Sequence, residues 1–77
     1  MMVTVELPVI SGFFGGHVVS TLVSIGDTVA IDTPLIELED DQCVLEFRSH
    51  LAGRVTEILV NVGDRVDWGI PLLVIDV

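Results

Sequence analysis

The sequence predicts an all-β domain, a flattened barrel or sandwich of short antiparallel strands with little or no helix. Three observations carry that expectation. Val, Ile and Leu fill 30 of the 77 positions, with Val the commonest, and β-branched residues suit a pleated, half-buried surface. The chain also contains an internal repeat. Laying Gly16–Leu38 over Gly53–Ile75, a shift of 37 without a gap, gives nine identities in 23 pairs, against roughly two from ordinary residue usage. Finally, both copies carry the same turn chemistry, Gly26-Asp27 and Gly63-Asp64. Glycine there supplies a positive φ, and aspartate is expected to bond its own backbone two residues on.

Taken in order, the glycine-flanked loop Ser11–Gly16 lies between the first two strands. Each repeat then reads as strand, Gly-Asp turn, short strand, strand. The last strand of each opens at Pro34 or Pro71, where a missing N–H is tolerated. Between the copies, Glu39-Asp40-Asp41-Gln42-Cys43-Val44 separates two apolar runs, which predicts a tight hairpin. The counterpart of that hairpin in the repeat is the pair of chain termini, expected at the opposite end. Neither half can bury its own apolar face, so the halves are expected to pack face to face within one domain, residues 1–77, with two four-stranded antiparallel sheets and a pseudo-twofold axis.

Charge narrows the partners. Twelve acidic residues against three arginines give a net charge of −9, and there is no lysine. Such a surface repels a phosphate backbone and anionic membranes, and suits a basic protein surface. No apolar run is long enough for a membrane span, and no basic flank precedes an apolar stretch at the N-terminus. A soluble protein is expected. The single Cys43 fits a reducing compartment better than a disulfide framework.

The residues resemble the lipoyl domain family, with the biotinyl domains as close relatives. The resemblance runs through Val-Glu-Leu-Pro at 5–8, Val-x-Ile-Gly-Asp-x-Val at 23–29 and Leu-Ile-Glu-Leu-Glu-x-Asp at 35–41. It continues through Glu46, Ser49, Leu-Ala-Gly at 51–53, Val-x-Val-Gly-Asp-x-Val at 60–66 and Pro-Leu-Leu-Val-Ile-Asp at 71–76. Each motif alone is weak; in this order they are specific. The resemblance implies a barrel-sandwich hybrid whose hairpin tip carries lipoate on a lysine within a Glu-x-Asp-Lys-Ala pattern. It also implies an arm that ferries acyl or aminomethyl groups between the active sites of a 2-oxo acid dehydrogenase complex or the glycine cleavage system, the former being the parentage expected here, where tethering supplies effective concentration. The cofactor carries the chemistry, so a non-catalytic carrier is expected, not an enzyme. The implied partners are subunits of such a complex and a lipoate ligase or lipoyl transferase. A monomeric isolated domain, in the bacterial cytoplasm or the mitochondrial matrix, is what the resemblance leads one to expect.

The pattern breaks at its central residue. The aligned segment is Glu39-Asp40-Asp41-Gln42-Cys43, which puts Gln42 at the acceptor position. An amide nitrogen has a delocalised lone pair and is not acylated as an amine is, so no lipoate is expected on this chain. The biotinyl Met-Lys-Met is absent as well. Three origins stay open: a deliberate lysine replacement, a natural divergence that left a docking or scaffold module, or kinship with the lipoyl-like spacer modules of membrane fusion and efflux adaptors. The last fits less well, because those modules are usually split by an intervening hairpin.

Around the tip, Glu37, Glu39, Asp40, Asp41 and Glu46 are expected to form a solvated acidic surface that lacks the spacing of a calcium loop, and the resemblance implies that basic partners read these charges, speeding encounter. Cys43 stands where the family has alanine and is expected to be small and half-buried, its thiolate disfavoured by the neighbouring carboxylates. His17 and His50 are expected at the surface, and no metal site is predicted. In the family the loop holding Phe13 and Phe14 lies close to the hairpin and aids recognition. At least one of these rings is expected to be exposed, and Phe13→Ala or Phe14→Ala to weaken partner binding without unfolding. The alternative is that one ring caps the core and the other packs on the loop. Gly26, Asp27, Gly53, Gly63 and Asp64 are assigned to structural turns, and Trp68 to a partly exposed lid at the barrel edge.

Overall fold

Alternation of apolar and polar residues commits short stretches of this chain to strands, and a computed structural model describing Met1–Val77 contains eight of them and no helix. They are β1 (Met2–Glu6), β2 (Gly16–Thr21), β3 (Thr28–Val29), β4 (Pro34–Glu39), β5 (Val44–Arg48), β6 (Gly53–Ile58), β7 (Arg65–Val66) and β8 (Pro71–Asp76). Two four-stranded antiparallel sheets result, ordered β1-β8-β6-β3 and β5-β4-β2-β7. Exchanging β1–β4 with β5–β8 turns one order into the other, which is the pseudo-twofold axis expected from the repeat.

The halves do not stack as separate layers. Each sheet takes two strands from each half, so the face-to-face packing of halves expected from the sequence is replaced by interleaving. The Gly-Asp turns do the interleaving. Gly26 N–H donates to the Val55 carbonyl (2.7 Å) and Val55 N–H to the Asp27 carbonyl (2.9 Å). In the other half Gly63 N–H donates to Val18 O (2.8 Å) and Val18 N–H to Asp64 O (2.9 Å). Each turn thus closes on a strand of the opposite half. A short β3 or β7 cannot hold itself against its own half, and these paired bonds dock it where its backbone groups are satisfied.

Inside the turns, Gly26 and Gly63 take φ of 98° and 92°, as expected. The aspartates differ from expectation: the Asp27 carboxylate accepts the N–H of Ser24, three residues back, and Asp64 that of Asn61, both at 2.8 Å. Gly53 is not a turn residue. It opens β6 with no positive φ, and a Cβ there would run into the Asp76 carbonyl oxygen. Its repeat partner Gly16 stands in the same relation to the Glu39 carbonyl. Close backbone crossing explains why both copies need glycine.

Sixteen buried apolar residues form one core. The repeat pairs Val18/Val55, Val23/Val60, Val29/Val66, Leu35/Leu72, Ile36/Leu73 and Leu38/Ile75 are all in it, so the repeat is a repeat of core positions. Register shifts recur at equivalent places, between Val18 and Ser20 and between Val55 and Glu57, and bulges of this kind bend strands enough to close a small barrel.

Candidate functional site

The hairpin between β4 and β5 is held from within. The strands pair as far as Glu39 and Val44, and Asp40 N–H then donates to the Cys43 carbonyl at 3.0 Å, leaving Asp41 and Gln42 as the two tip residues. Neither has a positive φ, so the turn needs no glycine. Asp40 steadies it instead: one carboxylate oxygen accepts the backbone N–H of both Gln42 and Cys43, each at 2.8 Å. These two bonds, the Gln42 one first, hold the Asp40 carboxyl below the ordinary carboxylate range, because they favour its charged form. Asp40 therefore builds the turn, whereas Asp41 and Gln42 stand exposed at its crest.

Cys43 is exposed rather than half-buried. It flanks a two-residue crest, where the hairpin has already left the body of the sandwich and nothing covers its side chain. A hydrogen bond to Asp40, together with that carboxylate's charge, pushes its thiol above the ordinary value, so the expected suppression of the thiolate holds. Glu39, exposed at the end of β4, pairs across the strands with His17. Glu46 lies further from the crest in β5 and is bound to Arg48 at 3.1 Å. The acidic residues assigned to one tip surface are thus divided between a turn anchor, a crest and a strand.

The loop between β1 and β2 comes to the hairpin because β2 starts where β4 ends, at the Gly16–Glu39 crossing. A cleft of about 340 Å³ opens between them, lined by Phe14, His17, Asp40, Asp41, Gln42, Arg65 and the glycines 12, 15 and 16. The two phenylalanines part company. Phe13 is in the core, and Phe14 is 74% exposed. The positive φ of Gly12 and Gly15 (82° and 104°) lets the chain reverse on either side of the pair. The Phe14 ring lies against Trp68, with centroids 5.9 Å apart, and the Trp68 indole N–H donates to the Phe13 carbonyl at 3.0 Å. Trp68 is half-exposed, as expected, and it also holds the loop, a role that sequence reasoning missed. A signal for it exists: its repeat partner is the aliphatic Ile31. Sequence reasoning gave no role in the site to His17 or Arg65 either, yet both line the cleft. The turns at Gly26 and Gly63 take no part in it.

A family model described as Biotin-requiring enzyme matches residues 3–75. This chain belongs to the biotin/lipoyl family. Among similar proteins, the dihydrolipoyllysine-residue acetyltransferase component of the pyruvate dehydrogenase complex of Haemophilus influenzae is 42% identical over 59 residues, 77% of this chain and 10% of that protein. The component of the same description in Cupriavidus necator is 31% identical over 74 residues, 96% of this chain and 13% of that protein. This biotin/lipoyl chain spans about a tenth of the length of such relatives. Among solved structures, a single-chain, multi-domain long-chain acyl-CoA carboxylase is similar over 95% of this chain and 7% of its own, with a TM-score of 0.79 and 25% identity. The lipoyl domain of the 2-oxoglutarate dehydrogenase complex from Azotobacter vinelandii matches over 92% of this chain and 94% of its own, with a TM-score of 0.69 and 24% identity, a likeness of fold.

Proposed function

We propose that this is a lipoyl-type domain of a 2-oxo acid dehydrogenase complex in a form without an acceptor, with Gln42 standing where the family carries its lipoyl-lysine. The observation that carries the reading is the exposed Gln42 on the crest of a two-residue turn, in a chain that contains no lysine. The acyltransferase components among its relatives support the carrier ancestry. The residues present do not fit lipoate. Gln42 offers an amide, and the α-amino group of Met1 is tied to Asp76 (2.8 Å) and the Val77 carbonyl (3.1 Å). The domain retains what a protein partner reads, namely the hairpin, its acidic crest and the adjoining loop. It offers no side-chain amine for lipoyl attachment, and its role is to dock on partner subunits.

The deciding measurement is the intact mass of Gln42→Lys after incubation with lipoate, ATP and a lipoate ligase, beside the unaltered chain. The expected result is one lipoyl-sized increment on the variant alone. If neither chain is modified, the hairpin is not offered as a carrier offers it, and the domain is a lipoyl-like interaction module without carrier descent.

A further inference from the structure

Gln42 is the only glutamine of the chain, and the fold offers its side chain to solvent without a partner. Its one hydrogen bond runs from the backbone N–H to Asp40 at 2.8 Å, while the strands below are paired up to Glu39 and Val44. The backbone of the crest is fixed, and the carboxamide above it is free. Nothing of the same kind exists elsewhere in the molecule. Asn61, the other carboxamide, has a side chain one methylene shorter and sits in a Gly-Asp turn that closes on β2. A carboxamide is the acyl side of an amide, whereas a lysine is the amine side. The crest thus presents an electrophilic carbon, Cδ of Gln42, with ammonia as its leaving group. The amine side is missing from the chain. There is no lysine, and the α-amino group of Met1 is bonded to Asp76 and to the Val77 carbonyl. Gln42 therefore has no reaction partner in its own copy or in a second one.

Charge at the crest favours one kind of nucleophile. Asp41 is exposed beside Gln42, with Asp40 and the exposed Glu39 next along the chain, and the whole domain carries −9. Amines, which are cationic in water, are concentrated by such a field. The neighbouring Cys43 does not start the reaction, because Asp40 pushes its thiol up and the thiolate is the nucleophilic form. The catalyst is a separate enzyme with an activated thiol. We infer that Gln42 is an acyl-donor site, at which an enzyme of the transglutaminase type joins Cδ to a primary alkylamine, carried by a small diamine or by a lysine of a basic segment. The enzyme's thiolate adds to Cδ, the Cδ–Nε2 bond breaks, and ammonia leaves with a proton from the enzyme, giving a thioester. The amine then attacks that carbonyl, the Cδ–S bond breaks, and the amine's proton returns to the enzyme. One amide replaces another, and nothing is oxidised or reduced. The new bond runs in the opposite sense to a lipoyl-lysine amide, with its carbonyl on the domain.

The test incubates the unaltered chain with a thiol transglutaminase and, in separate arms, a fluorescent aliphatic diamine and a capped lysine peptide, and reads the intact mass. The expected result is a single increment equal to the amine less one ammonia. Fragmentation should place it at Gln42, and Gln42→Asn, whose shorter side chain leaves the turn in place, should lack it. A linear peptide of residues 37–46 is the reference. The folded crest already holds the presented form, so the folded chain is expected to react at least as fast as that peptide. Incorporation of the diamine assigns the site to small amines, and incorporation of the lysine peptide to a basic segment. No increment in either arm would overturn the proposal, as would a folded chain slower than the linear peptide. None of these outcomes depends on carrier descent, which Gln42→Lys and a lipoate ligase test separately.

Discussion

Adjacent residues of one type can have opposite duties, and Phe13 and Phe14 show how far apart those lie in energy. Phe13 is 1% exposed and belongs to the core, so Phe13→Ala leaves a cavity worth about 3–5 kcal/mol. That is a large share of what so small a domain has. Phe14→Ala removes a ring that is mostly in water, and its effect is expected to stay within about 0.5 kcal/mol. Denaturant midpoints of the two variants check this, and a similar loss in both would mean that Phe14 is structural. Loss of partner binding without unfolding is therefore expected for Phe14 alone. Asp40 supports a second prediction. Its carboxyl is held low by the N–H groups of Gln42 and Cys43, so the turn is fully stabilised above the unfolded carboxylate value and loosens as pH falls through the lower folded one. The Gln42 and Cys43 amide resonances should move together in an acid titration, with a midpoint below 3.8, the ordinary carboxylate value. A midpoint at or above that value would separate the turn from the Asp40 charge.

Between residues and the whole stand the two Gly-Asp turns, which the repeat makes legible in the sequence alone. Matching Gly26 with Gly63 and Asp27 with Asp64 locates both turns, and matching Val18 with Val55 locates two core positions, because turn φ values and core contacts constrain residue type directly. What the turns dock on is not legible in the same way. A carboxylate reaching back to Ser24 or Asn61, and a backbone pair formed with the other half's strand, leave no periodicity in sequence. The exposure of Cys43 is hidden for a similar reason, since it depends on how far the hairpin projects. Equivalence of the turns gives an energetic prediction. Asp27→Ala and Asp64→Ala each remove a 2.8 Å hydrogen bond of the same geometry, so each should cost about 1 kcal/mol. The two losses should agree within about 0.5 kcal/mol and add in the double variant, the turns being independent. Thermal melts of the three variants test it; a marked imbalance would show that the repeat does not extend to the energetics of its turns.

At the scale of the molecule, interleaving decides how the domain is stabilised. Each half contributes two strands to each sheet, and the short strands pair only across halves, β3 with β6 and β2 with β7. A half alone would have a turn with no strand to close on and an apolar face with nothing over it. At about 40 residues it would also fall below the size at which a core sustains itself without disulfides or metals. The crest of the hairpin offers a place to test this, because both tip residues are exposed and the bond between Asp41 and Gln42 lies outside every strand. Fragments 1–41 and 42–77 are expected to be unfolded separately and to regain the sheet spectrum and a cooperative melt when mixed in equal amounts. Complementation should be weaker than the intact fold, since cutting the chain restores the entropy that the hairpin removes. A fragment that folded alone would mean that a half carries a core of its own, and that the two copies meet as finished units. Failure of the mixed fragments to associate would instead assign to the hairpin connection the stability attributed here to the crossed turns.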